Sequence, residues 1–158
     1  MPQVEIETLP LFRMLPKHHL DEALELALIP FDVGQNEVLT VQGEVDTTLM
    51  IVVTGLLDVV VGDPATVVAT VGPGELIGDM ALFGQEGVRQ ATIRTRSPCT
   101  LLVIDQEGLK TLRAKENMLV TLLEAQALRT IGSRLRQMDF RITEFAEGTE
   151  LEQETPAG

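Results

Sequence analysis

The sequence predicts a mainly β fold with flanking helices, in which an antiparallel sandwich or small barrel occupies the middle of the chain. Between residues 31 and 104, short β-branched runs alternate with glycine- and proline-containing turns, a pattern typical of such folds. On both sides of this range, apolar residues recur at helical spacing. The 158 residues suit one ordinary domain, which at this size buries roughly two-thirds of its unfolded surface.

The helical segments lie at the two ends of the chain. One or two short amphipathic helices are predicted over residues 8–28, because apolar residues keep helical spacing there and Pro16 interrupts the run. Helical periodicity returns at Gln106 and lasts to about Phe145. Residues 146–158 are acidic and have no periodic apolar face, so they are predicted to be a disordered tail.

Six strands are predicted between the helical segments. Each is a short run rich in β-branched residues and is bounded by turn residues such as Gly55 or the Gly-Asp-Pro sequence at 62–64. The six runs are 38–41, 49–53, 56–61, 66–71, 91–95 and 100–104. Their short and regular spacing favours an antiparallel arrangement.

The last predicted helix carries a narrow apolar seam with alternating spacings of three and four residues. Its members are Leu128, Ile131, Leu135, Met138, Ile142 and Phe145. One interpretation is that this helix packs on its own barrel. The other is a parallel homodimer contact, which is favoured because arginines surround the seam and leave only a narrow apolar stripe.

Composition excludes several classes of protein. The hydrophobic fraction of 44% excludes an intrinsically disordered chain. No apolar run approaches the roughly 18 residues that cross a bilayer, and the acidic N-terminus does not resemble a secretory signal. A single cysteine, Cys99, excludes an intrachain disulfide and a zinc cage of thiolates. A cytoplasmic protein without membrane contact is therefore expected.

The net charge of −12 opposes attraction to nucleic acids and anionic lipids. The charge is unevenly distributed, because residues 1–88 hold fourteen acids and two cations whereas residues 89–141 hold ten cations and five acids. The positive segment is a local exception. It is a candidate surface for an acidic partner, or for the acidic half of a dimer mate.

One stretch, GELIGDMALFGQEGVRQATI at 74–93, places Asp79 ten residues before Arg89 with small and apolar residues between them. An arginine at the end of an apolar loop can donate a forked pair of charge-assisted hydrogen bonds to a phosphate. Backbone N–H groups near Gly78 and Ala81 can add a dipole that favours an anion. The stretch therefore predicts an anion site that includes Arg89.

The order of elements, together with this stretch, resembles the cyclic nucleotide-binding domain family. Gly34, Gly43 and Gly55 stand where that family places glycines at its corners. The stretch itself resembles the family's phosphate-binding cassette, commonly written F-G-E-L-A-L-L, a spacer, and then R-x-A-T-V. In this sequence those positions are residues 77–83 and 89–93.

The resemblance spans roughly residues 9–145 and implies a double-stranded β-helix, or jelly-roll, barrel with N-terminal helices and a long C-terminal helix. The implied domain covers residues 1–145, with N-terminal helices at about 8–28, the barrel at about 31–104, C-terminal helices at about 106–145 and the acidic tail at 146–158.

The resemblance also implies the ligand, cAMP or cGMP, and the residues that bind it. These are Gly78, Asp79, Met80, Ala81, Arg89, Gln90 and Ala91. Arg89 would hold the cyclic phosphate, and Asp79 would accept a hydrogen bond from the ribose 2′-hydroxyl. Asp79 is one methylene shorter than the family's usual glutamate, so this contact is stretched, bridged by water or lost. Gln90 replaces the usual serine or threonine, which leaves the choice of base open.

No catalytic or metal-binding constellation is predicted. The only histidines, His18 and His19, are adjacent and would point about 100° apart on a helix, which makes them poor joint ligands. Cys99 follows a proline and has no histidine near it in the sequence, so it is interpreted as a structural residue. The chain is therefore expected not to be an enzyme and to need no cofactor.

The predicted function is a stand-alone cyclic nucleotide sensor that signals to an unidentified partner protein through its C-terminal helix. The residues after Phe145 are too few for a helix-turn-helix module, so no direct DNA binding is expected. Ligand binding is predicted to draw the cassette inward and to close the long helix over the base. The helix positions expected to approach the ligand are Leu119, Leu122, Leu123, Gln126 and Arg129.

Two alternatives stay open at this point. One is a nucleotide-independent dimeric scaffold with a degenerate pocket, in which Arg89 pairs with Asp79 or Glu86. The other is a pocket retuned for another phosphorylated ligand, such as a cyclic dinucleotide. Residue 79 distinguishes these alternatives from the mononucleotide sensor, because loss of the ribose contact should weaken the binding of a mononucleotide most.

Overall fold

The computed structural model describes residues 3–83 and 87–133 of the chain. Internal contacts divide the chain into two units, Met1–Glu124 and Ala125–Gly158. The first unit contains the described helices and strands up to Glu124, and the described part of the second unit is helical from 125 to 133. The predicted division into a domain over 1–145 and a tail over 146–158 stays a prediction.

Three short helices open the chain: α1 (Gln3–Glu7), α2 (Pro10–Arg13) and α3 (Lys17–Leu26). The second begins on a proline, whose fixed backbone angle suits the first helical position and whose missing N–H is not needed there. The predicted break is present, since Pro16 immediately precedes α3. The helix α1 lies outside the predicted segment, because five residues are too few to establish a helical period.

Eight strands are present within the described residues, and they form two four-stranded antiparallel sheets. The strands are β1 (Ile29–Val33), β2 (Val38–Thr40), β3 (Leu49–Thr54), β4 (Leu57–Val61), β5 (Thr66–Val71), β6 (Leu76–Ile77), β7 (Thr92–Thr95) and β8 (Cys99–Ile104). One sheet has the order β1-β8-β3-β6 and the other β2-β7-β4-β5. The predicted jelly-roll architecture is confirmed, with its strands arranged as two sheets.

Two of these strands, β1 and β6, were not predicted. Strand β1 is an edge strand in which only Val33 is buried, and it contains Pro30, which cannot donate to a sheet ladder. Strand β6 has only two residues. Strand β1 alternates its apolar residues Ile29, Phe31 and Val33, but its proline argues against a strand, and the two residues of β6 are too few to show any alternation.

The core of the sandwich is built from side chains of both sheets. It comprises Val33, Met50, Val52, Leu57, Ile77, Ile93, Cys99 and Leu101. Strand β3 is buried from Leu49 through Val53, so both of its faces are covered, and α1 contacts it. This continuous burial explains why β3 is a nearly unbroken apolar run.

A helical region follows the last strand. Helix α4 (Gln106–Ala114) starts at Asp105, whose side chain accepts a hydrogen bond from the Gly108 N–H at 2.7 Å. Residues 118–133 are also helical. In the turn before them, the Asn117 side chain is buried and donates to the His19 carbonyl and the Glu22 carboxylate, both at 2.9 Å. The C-terminal helices of the first unit are therefore tied to α3.

Much of the predicted apolar seam lies outside the described residues, which include only Leu128 and Ile131 from it. Leu128 is 59% exposed. The homodimer stays a prediction. Across the helices that the structure describes, none combines the length and apolar character that a membrane span requires.

Candidate functional site

The candidate site is centred on the turn between β6 and a short 3₁₀ helix, Asp79–Phe83. Gly78 forms this turn with a φ of +78°, a backbone conformation that favours glycine. A Cβ at this position would overlap Nη1 of Arg89 and the carbonyl oxygen of Thr48. Glycine is therefore required at this position for two reasons: the positive φ of the backbone and the close approach of the Arg89 side chain.

Arg89 is the central charged group of the site and is only 9% exposed. Its Nη2 donates to the Thr48 carbonyl at 2.8 Å and to the Thr48 hydroxyl at 3.3 Å. The same nitrogen lies 3.2 Å from Oδ1 of Asp46. The Nε atom is buried and has no hydrogen-bond partner among the described residues. The protein thus engages the guanidinium through Nη2, and the Nε–H donor has no acceptor among the described residues.

The backbone on both sides of Arg89 is also fixed, because it pairs with the loop between β2 and β3. The Arg89 N–H donates to the Glu44 carbonyl and the Gly43 N–H donates to the Arg89 carbonyl, both at 2.9 Å. Val45 and Val88 form an isolated antiparallel bridge between the same two segments. This pairing brings Asp46 and Arg89 together, although they are far apart in the sequence.

Asp46 is ionised in this setting. Burial raises the pKa of its carboxyl, but hydrogen bonds from the Thr48 N–H at 2.9 Å and the Thr48 hydroxyl at 2.8 Å, together with the Arg89 charge, outweigh that effect. The net result is a pKa below its ordinary value. The pair therefore persists at neutral pH, and Asp46 neutralises part of the charge that Arg89 could offer to a ligand.

The other predicted site residues differ in their exposure to solvent. Asp79 and Ala81 are buried, with 8% and 7% of their surface exposed, whereas Met80 is 44% exposed. Gln90 is exposed and Ala91 is half-buried. The N–H of Ala81 donates to the Gly78 carbonyl at 3.0 Å, so this amide is already used within the turn.

Sequence prediction missed Asp46 and Thr48. It offered Asp79 or Glu86 as internal partners for Arg89, but the described partner is Asp46, and residue 86 lies outside the described residues. The available signal was the Asp46-Thr47-Thr48 sequence, in which an aspartate can accept bonds from the residue two positions later. That signal predicts a local turn, and it does not identify the arginine that the turn will face.

The short helix is held from its C-terminal side by α4. Gln106 donates from Nε2 to the carbonyls of Ala81 at 3.2 Å and Thr47 at 3.0 Å. Arg113 donates from Nη2 to the Leu82 carbonyl. Carbonyls at the end of a short helix have no partner within the helix, so α4 side chains supply what the local backbone cannot.

Two potentially reactive side chains among the described residues, His19 and Cys99, are held in structural contacts. His19 accepts a hydrogen bond from the Met118 N–H through Nδ1 at 3.0 Å, which gives it a structural role. Burial raises the pKa of the Cys99 thiol, which donates to the carbonyls of Ser97 and Leu56, so the reactive thiolate is disfavoured. Within the described residues, no group of His, Cys, Asp and Glu could hold a metal ion.

Residues 31–131 match the family profile of the cyclic nucleotide-binding domain. This match covers both sheets except the first two residues of β1, and it includes the short helix, Asp46, Arg89 and α4. Domains of this family are typically regulatory sensors and not enzymes. No curated protein sequence matches the chain.

Solved structures give a consistent picture. The catabolite activator protein of Thermus thermophilus is 26% identical with a TM-score of 0.69 over 87% of this chain, which spans 63% of that protein's length. The N-terminal domain of a transcriptional regulator from Streptomyces coelicolor A3(2) is 26% identical with a TM-score of 0.64, covering 87% of this chain and 94% of that one. A cyclic nucleotide-binding domain from Methylobacillus flagellatus KT shares the fold, at 19% identity and a TM-score of 0.74 over 90% of this chain and 84% of that one.

Proposed function

This chain belongs to the cyclic nucleotide-binding domain family, and from that premise we propose that it is a sensor of cAMP or cGMP that signals to a partner protein. The observation that carries the proposal is the state of Arg89. Its guanidinium is buried beside Gly78, and its Nε has no hydrogen-bond partner among the described residues. A buried donor of this kind is costly unless something accepts from it, and an anionic oxygen of a cyclic phosphate would do so.

The neighbouring contacts support this assignment. Thr48 and Asp46 engage Nη2, which restrains the plane of the guanidinium, while Nε has no hydrogen-bond partner among the described residues. A charge-assisted hydrogen bond from Nε to one oxygen of a cyclic phosphate would satisfy this donor. Asp79, which directly follows Gly78, would accept from the ribose 2′-hydroxyl and so distinguish a ribonucleotide from its deoxy form.

Signalling would follow from a shift in the population of two states. A ligand changes the balance only if it binds one arrangement of the cassette more tightly than the other. The short helix is hydrogen-bonded to Gln106 and Arg113 of α4. A displacement of the short helix would therefore also displace α4. We propose that the C-terminal helix carries the change to a partner protein in the cytoplasm, and that the seam from Leu128 onward forms a homodimer.

A second candidate function is favoured by the Asp46–Arg89 ion pair. Because Asp46 already balances the arginine, the pocket can be stable without a ligand. The chain would then be a nucleotide-independent dimeric scaffold. A pocket retuned for a cyclic dinucleotide is the third possibility, since a second phosphate could compete more strongly for Arg89 than one phosphate can.

Isothermal titration calorimetry with cAMP, cGMP and cyclic di-GMP separates these functions. We expect low-micromolar binding of one mononucleotide by the wild-type protein and loss of that binding in Arg89→Ala. Arg94→Ala is the matched control, because Arg94 lies in the neighbouring strand β7 and is exposed, and it should bind as the wild type does. Absence of heat with all three nucleotides, from protein that is folded, would reject the sensor and favour the scaffold.

A further inference from the structure

The Arg113 side chain joins two parts of the first unit that are not adjacent in the sequence. Its Nη2 donates to the Leu82 carbonyl in the short helix Asp79–Phe83. Its Nη1 donates to Oε1 of Glu124 at 2.7 Å, and Glu124 lies in the helical stretch 118–133. One guanidinium therefore contacts the cassette with one nitrogen and the following helix with the other.

We propose that Arg113 is a positioning residue that couples the short helix of the cassette to Glu124. The proposal deepens the proposed function, because it names how the state of the site reaches the C-terminal helix. It does not require a nucleotide for its test, since the contacts are made by the chain itself.

The chemistry of the contact explains why an arginine is suited to it. The guanidinium is planar and offers several donors in fixed directions, so two acceptors on different elements are bound in a defined geometry. The Leu82 carbonyl is at the end of a 3₁₀ helix and has no partner further along that helix. Loss of the Arg113 bond leaves this end of the helix attached to α4 through Gln106 and the Ala81 carbonyl.

The Glu124 carboxylate supplies the second half of the coupling. The side chains of Arg113 and Glu124 are 43% and 32% exposed, so their ion pair is screened by water and contributes little to global stability. Its main effect is on orientation, because the carboxylate restrains the long arginine side chain in the rotamer that reaches Leu82. A change at Glu124 should therefore alter the short helix without direct contact between them.

Helix α4 provides an internal comparison. Lys110 and Glu107 form an ion pair at 3.5 Å on the same helix, with side chains that are 73% and 84% exposed. This pair is local to one helix. Lys110→Gln removes a cation from α4, as Arg113→Gln does, while the bond to Leu82 is preserved. It is the matched control for the loss of charge.

The experiment is amide hydrogen exchange in the nucleotide-free protein, followed for peptides that contain Asp79–Phe83. We expect exchange there to be faster by about tenfold in Arg113→Gln and by about threefold in Glu124→Gln. Lys110→Gln should match the wild type. Peptides from β3 should exchange at the wild-type rate in every variant, which separates local opening from global unfolding.

The double variant Arg113→Gln with Glu124→Gln decides whether Glu124 acts through Arg113. We expect it to exchange like Arg113→Gln alone, because the glutamate has nothing left to restrain. Two results would overturn the coupling. One is an exchange rate in Glu124→Gln that equals the rate in Lys110→Gln. The other is a double variant whose increase in exchange rate is the product of the increases in Arg113→Gln and Glu124→Gln. Failure of the wild type to bind any cyclic nucleotide would reject the proposed function and leave this result unaffected.

Discussion

The Oδ1 atom of Asp46 lies 3.2 Å from Nη2 of Arg89, in a site where the arginine is 9% exposed. The two residues meet because the loop before β3 pairs with the backbone around Arg89. The Asp46 carboxylate thus orients the guanidinium proposed to bind phosphate, and it also offsets part of the positive charge of that group. A ligand would have to share Arg89 with this partner.

The contribution of Asp46 to stability should depend on pH. Its pKa in the folded protein lies below the ordinary value of 3.8, so the stabilisation is fully present above that value and is lost as pH falls through the lower folded pKa. Asp46→Asn should lower the free energy of unfolding by about 1 kcal/mol at neutral pH. Urea denaturation of both proteins across pH measures the difference, which should shrink in acid. A difference that persists in acid would mean that charge is not its origin.

Gly78→Ala should be more destabilising than an ordinary glycine substitution. Gly78 and Gly74 have φ values of +78° and +85°, so alanine is strained at either position, by about 1 kcal/mol. Only at Gly78 would the added Cβ meet Arg89 and Thr48, whereas at Gly74 nothing lies within 4 Å. We expect Gly78→Ala to unfold at a clearly lower urea concentration than Gly74→Ala and to lose the proposed nucleotide binding. Equal midpoints would show that Arg89 moves aside without cost.

In the proposed sensor, Asp79 should determine discrimination against deoxyribose. A carboxylate that accepts from the 2′-hydroxyl is left unpaired by a 2′-deoxy ligand, which predicts a preference of about tenfold for the ribonucleotide. Calorimetry with cAMP and 2′-deoxy-cAMP measures this ratio for the wild type and for Asp79→Ala. The variant should bind both ligands equally. A ratio unchanged by the substitution would place the ribose away from Asp79.

Asn117→Ala should destabilise the protein without affecting the nucleotide site. The buried Asn117 donates to His19 and Glu22, and its Oδ1 accepts from the Leu119 N–H at 2.9 Å. Loss of a helix cap and two buried bonds predicts a cost of about 2 kcal/mol.

Asn117→Asp tests the donor role of Asn117 separately. It keeps the cap but replaces the donor with a carboxylate facing Glu22, so it should be at least as unstable as the alanine variant. Recovery of wild-type stability, measured by urea denaturation, would contradict the donor role.

Much of the fold could be predicted because its signals are local. The β-branched runs between turn residues located β3, β4, β5 and β8 closely. The strands β1 and β6 escaped prediction because Pro30 argues against a strand in β1 and because two residues are too few to show an alternating pattern in β6. The helix Asp79–Phe83 lies within the stretch that the motif indicated.

The sequence by itself determined the local chemistry of this protein: a glycine where the backbone must turn, an acid next to it, and an arginine at the end of the same short stretch. Only the tertiary structure decided which groups that arginine would meet. Asp46 and Thr48 reach Arg89 through strand pairing, and Arg113 reaches Leu82 through the packing of α4. Contacts of this kind depend on the register between distant segments, whereas sequence periodicity indicates only the conformation and the buried face of each segment.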